Sequence, residues 1–142
     1  MSALTAYLDV PLHHGAPGAA RRAVVAVLGG WGFDDPDWLD VTAVVVSELV
    51  TNAVRHGGGC VALQVEAHDR RVIVSVADGS SVVPRRRDPD GAGGRGIALI
   101  EALAEGWTVH NHEGGKQVRV RLVPCPGAGT PMASGSARGD VA

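Results

Sequence analysis

The chain has 142 residues, and its 13 Lys and Arg against 15 Asp and Glu leave a formal charge of −2. That length suits one domain, able to bury about 68–70% of its unfolded surface without metal or disulfide staples. With 45% hydrophobic and 20% charged residues it is neither disordered nor fibrous. No apolar run reaches the ~18 residues of a membrane span, and the balanced charge offers no bulk attraction for nucleic acid.

Taken in chain order, the hydrophobic period switches several times. Residues 6–10 form a short strand candidate before a turn region at 11–18. Residues 16–28 carry Ala, Val and Arg at helical spacing, with Gly29 and Gly30 as stop signals. Asp37 or Asp40 can cap a second helix, which runs to His56 and ends at the glycines 57–59. Residues 61–67 and 72–77 alternate like paired strands joined by a polar turn at 68–71. A loop rich in Gly, Pro, Arg and Asp fills 79–94. Helical spacing returns at 96–104, and 107–111 with 117–123 form a closing hairpin around 113–115. Residues 124–142 have almost nothing to bury and read as a disordered tail, in which the Arg-Gly-Asp at 138–140 is a chance tripeptide.

The first 13 residues lack the basic-then-apolar layout of a secretory signal. Cys60 and Cys125 are far apart, so a reduced cytoplasmic protein is expected. Strand, two helices, hairpin, long loop, helix and hairpin imply an α+β two-layer sandwich over residues 1–123. Its sheet is mostly antiparallel, with the helices gathered on one face. A loop of about 16 residues inside such a domain calls for a functional explanation, as a binding loop or lid.

Three local patterns carry chemistry. On the second helix, Glu48, Asn52 and His56 form an i, i+4, i+8 ladder on the face opposite Val46, Leu49, Val50 and Ala53. A solvated polar face is the plain reading, but Asn is a poor interior helix residue and the ladder runs into three glycines. Next, the apolar strand ending in Asp78-Gly79 puts a carboxylate where it can accept from an amino group such as that of adenine; the plain alternative is a turn-initiating Asp. Last, Asp90-Gly91-Ala92-Gly93-Gly94-Arg95-Gly96 runs into a helix start, where free N–H groups suit phosphate oxygens, or else forms a hinge. Its spacing is neither that of a P-loop nor that of a dinucleotide-binding turn.

In that order the three patterns resemble the GHKL ATP-binding fold of sensor histidine kinases, DNA gyrase and heat-shock chaperones, a Bergerat-type sandwich. SELVTNAVRHG resembles the N box of its compact branch, the anti-sigma-factor serine kinases (RsbW-like). VADGSSVVP and GGRGIALIEALAEGW resemble the two Gly boxes of that branch, and GGKQVRVRL its closing strand. The likeness spans residues 6–123. It implies ATP and Mg²⁺ as cofactors, with Asn52 as metal ligand and Glu48 as general base. It implies further that Asp78 holds the adenine amino group, with Gly79 in the same box. Gly94, Arg95 and Gly96 wrap the phosphates, and Arg55 and His56 frame the ribose or phosphate side.

The resemblance also implies a serine kinase that phosphorylates an antagonist protein and sequesters a sigma factor in alternation. The alternative is an ATP-gated protein-binding module with little or no phosphotransfer, and homodimerisation stays open. Asp78 is followed by Gly79, Ser80 and Ser81, where the wider superfamily has Asp-x-Gly-x-Gly. The arginines 85–87 have no assigned role. Neither has Lys116, the only lysine, since an exposed lysine ordinarily just solvates. The scattered histidines, without Cys or carboxylates at ligand spacing, argue against zinc.

Overall fold

The computed structural model describes residues 3–11, 13–56, 60–78, 95–112 and 115–127, with the backbone alone at 56, 60, 78, 95, 96, 111 and 112. Its elements are β1 (Ala3–Pro11), α1 (Ala16–Gly30), α2 (Pro36–His56), β2 (Cys60–His68), β3 (Arg71–Asp78), α3 (Arg95–Leu103), β4 (Ala104–His112) and β5 (Gly115–Leu122). The strands form one sheet in the order β1-β2-β3-β5-β4. Every neighbouring pair among the described strands is antiparallel, in line with the mostly antiparallel sheet expected. β3 and β4 do run the same way, but β5 lies between them.

Alternation sorts the strands into two faces. Val61, Leu63, Val65, Val72, Val74, Val76, Val118 and Val120 point to the helices and are buried, and each such side chain contributes about 1.5–3 kcal/mol. α2 packs against α1 on one side and α3 on the other, and it supplies Val45, Val46, Leu49, Val50 and Ala53 to the same core. The α+β two-layer sandwich expected from the element order is the observed architecture. Among the described residues, no helix is long and apolar enough to cross a membrane.

The ends of α1 and α2 differ from the sequence expectation, for identifiable reasons. Gly29 and Gly30 remain helical, and the reversal falls at Gly32, whose φ of +99° lets the Phe33 N–H reach the Leu28 carbonyl at 2.9 Å. The cap of α2 is neither Asp37 nor Asp40. Asp35 accepts from the Trp38 N–H at 2.9 Å, and Pro36 takes the first helical position, where a missing N–H costs nothing. β1 starts three residues earlier than expected because Leu4 also packs on the core. β2 turns into β3 through Asp69, which adopts a φ of +61°.

β4 begins directly after α3, three residues before the expected strand. Glu105 anchors this start by accepting from Arg71 at 2.6 Å and pairing with Arg121 at 3.7 Å. A bulge between Ala104 and Gly106 accommodates Arg121, which any Cβ at Gly106 would meet at 2.7 Å.

The described start of the segment after β5 is held down, although residues 124–142 read from the sequence as having almost nothing to bury. Trp38, stacked on Phe33, donates its indole N–H to the Val123 carbonyl at 2.7 Å, and Cys125 is fully buried. Residues 128–142 of the expected tail lie outside the described residues. Burial pushes the Cys125 thiol above its ordinary pKa. In a Cys60→Ser background, alkylation of Cys125 at pH 8 is expected to run at least ~100-fold slower in the native protein than in denaturant. Equal rates, measured by mass spectrometry, would show that the segment is not docked.

Candidate functional site

Topology gathers the proposed site at one end of the sheet. The register of Ala62 with Ala77 puts the start of β2 beside the end of β3, and that of Asp78 with Lys116 puts the start of β5 beside it on the other side. His112 pairs with Gly115, so β4 finishes at the same end. α2 stops at His56, four residues before β2 begins, and its last turns therefore come to this end as well. α3 starts at Arg95, and its far end leads into β4 at the opposite end of the sheet, where Ala104 pairs with Leu122.

Three segments singled out in the sequence thus arrive together: the C-terminal half of α2, the end of β3 and the beginning of α3. Glu48 and Asn52, both half-buried, lie one turn apart on α2, and Arg55 is exposed and engaged in a polar contact. His56 is the last residue of α2, Asp78 the last of β3, and Arg95 and Gly96 the first two of α3. Gly79, Gly94 and the arginines 85–87 lie outside the described residues, as does the whole of the expected lid.

Asn52 is the polar residue whose environment is unusual. Its amide nitrogen is buried and has no hydrogen-bond partner among the described residues. A buried amide ordinarily finds a partner, and leaving one unmade costs about 1–3 kcal/mol. The other such atoms among the described residues lie on Trp31, Thr42 and Ser75, away from the ladder of α2. An unmatched N–H donor at this end of the sheet suits an acceptor that arrives with a ligand, such as a phosphate oxygen, and leaves the side-chain oxygen as the atom that could face a cation. Among the described residues no three of His, Cys, Asp or Glu gather at one point, so a metal held here would take Asn52 and ligand oxygens as its donors.

Sequence reasoning missed Lys116. It is 2% exposed instead of solvated, and it stands in line with Val118, Val120 and Leu122 on the helix-facing side of β5. Counting back in twos from Val118 would have placed it there.

A family model for the histidine kinase-like ATPase domain matches residues 12–122. The chain belongs to this family. The ATPase domain is also similar in structure to the Acinetobacter baumannii histidine kinase AdeS, with a TM-score of 0.50 and 15% identity over 85% of this chain and 68% of that one. That likeness concerns the fold. No curated protein matches the chain. Family membership supports ATP as the ligand class of the domain.

Proposed function

We propose that this ATPase domain is a cytoplasmic protein serine/threonine kinase. It would use Mg-ATP to phosphorylate a serine of a small antagonist protein, in alternation with holding a sigma factor. The observation that carries the reading is the buried, unmatched amide of Asn52 one turn from Glu48, at the sheet end where Asp78 and the start of α3 converge.

In this reading Asp78 accepts from the adenine amino group. Arg55 and His56 frame the ribose or phosphate side, while Arg95 and Gly96, with Gly79 and Gly94, surround the phosphates. Asn52 holds the magnesium ion, which when bound neutralises phosphate charge. Glu48 accepts the serine hydroxyl proton as that oxygen forms its bond to the γ-phosphorus and the bond to the departing ADP oxygen breaks.

The test combines a melt with and without Mg-ATP and a labelling assay. Proteins encoded by neighbouring genes serve as candidate acceptors. Expected are a rise in Tm with Mg-ATP and transfer of the γ-label to a serine. Binding without transfer would favour the ATP-gated module, and no shift would remove the nucleotide altogether. Asp78→Asn is expected to weaken ATP binding by about 10–100-fold through loss of a charged acceptor. Unchanged affinity, read by calorimetry, would refute its role.

A further inference from the structure

We infer that Lys116 is a specificity-determining residue of the nucleotide site, its ammonium donating to the ring nitrogen beside the amino group that Asp78 receives. This rests on the ATP-binding reading and extends it to a residue for which that reading has no use.

Lys116 is the only lysine of the chain, yet it is 2% exposed. Lysines usually run their stems along the surface and keep the ammonium in water. A buried ammonium is costly unless it is paired and hydrogen-bonded, and Lys116 is indeed engaged, not free. Its place in line with Val118 and Val120 directs it toward the helix layer, the side on which Glu48 and Asn52 stand.

The register supplies the second half of the argument. Lys116 is the direct partner of Asp78 on β3 and of Asn111 on β4. Cα atoms of such partners lie about 4.5–5.5 Å apart, so a ligand edge reaching this register position meets the two residues as neighbours. A carboxylate only accepts and an ammonium only donates. The complementary edge must therefore carry a donor next to an acceptor. Adenine does so, with its 6-amino group beside N1. Guanine has the same two positions reversed, an acceptor at O6 and a donor at N1, and would set carbonyl against carboxylate and N–H against ammonium. The pair thus selects adenine over guanine without any contact to the phosphates.

The test compares ATP with 1-deaza-ATP, in which a C–H replaces N1, by calorimetry on the full chain. The wild type is expected to bind 1-deaza-ATP about tenfold more weakly than ATP, and GTP more weakly still. Lys116→Met, of similar length and apolar, should lose about tenfold for ATP and no longer distinguish ATP from 1-deaza-ATP. Equal binding of the two by the wild type overturns the inference while leaving the ATP-binding reading intact. Discrimination that persists in Lys116→Met overturns it too. A wild type that binds neither nucleotide overturns both. The wild-type comparison stands on its own should the variant fail to fold.

Discussion

A chain carrying Glu48→Gln is expected to bind Mg-ATP within about twofold of the wild type while its phosphotransfer falls by about 10²–10⁴-fold. The reasoning is local. Glu48 lies in the interior of a 21-residue helix, half-buried, one turn before Asn52. Glu and Gln have nearly the same shape and helix propensity, so α2 and its packing should be unaffected and the Tm unchanged. What the amide cannot do is take a proton from the attacking hydroxyl at the moment the oxygen–phosphorus bond forms. Single-turnover transfer of labelled phosphate, alongside a binding titration, separates the two effects. Undiminished transfer would dismiss Glu48 as the base. A parallel loss of binding would instead make it part of the nucleotide cradle.

The sequence made the order and type of the elements legible because the switches in hydrophobic period are sharp. The alternation in β2 and β3 and the apolar stripe of α2 leave little choice of face. What it left open were matters decided by specific hydrogen bonds and packing, some local and some from atoms distant in the chain. Two adjacent glycines look like a stop, but Gly29 and Gly30 stay in α1 because the packing of Leu28 and Phe33 moves the reversal to Gly32. Asp37 looks like a cap until Pro36 is seen at the first helical position, which makes Asp35 the cap. Cys125 sits in a Pro- and Gly-rich stretch, yet it is buried two residues after Val123, whose carbonyl accepts from Trp38, 85 positions before Val123. The site shows the same division. The ladder of α2 was readable from residue spacing, whereas Lys116 became interesting only once the register set it opposite Asp78.

Asn52→Leu is expected to move stability and binding in opposite directions. Without nucleotide, the wild type carries a buried amide nitrogen with no partner among the described residues, on a helix where Asn is a weaker former than Leu. Leucine fills a similar volume, removes the unmatched donor and improves the helix. The ligand-free variant should therefore gain about 1–2 kcal/mol, or roughly 3–6 °C in Tm for a chain of this size. Mg-ATP at 100 times its Kd stabilises a binding-competent protein by about 2.7 kcal/mol, and the variant, lacking the metal donor, should gain almost none of this. Melts with and without Mg-ATP then cross: the variant is the more stable protein alone, and the wild type the more stable when saturated. A ligand-free Asn52→Leu that melts below the wild type would mean that the amide is a structural group, satisfied within the fold. A variant that keeps the full Mg-ATP shift would mean that the metal takes its donors elsewhere. The crossing is the signature of a residue kept at a cost to the empty fold for what it binds.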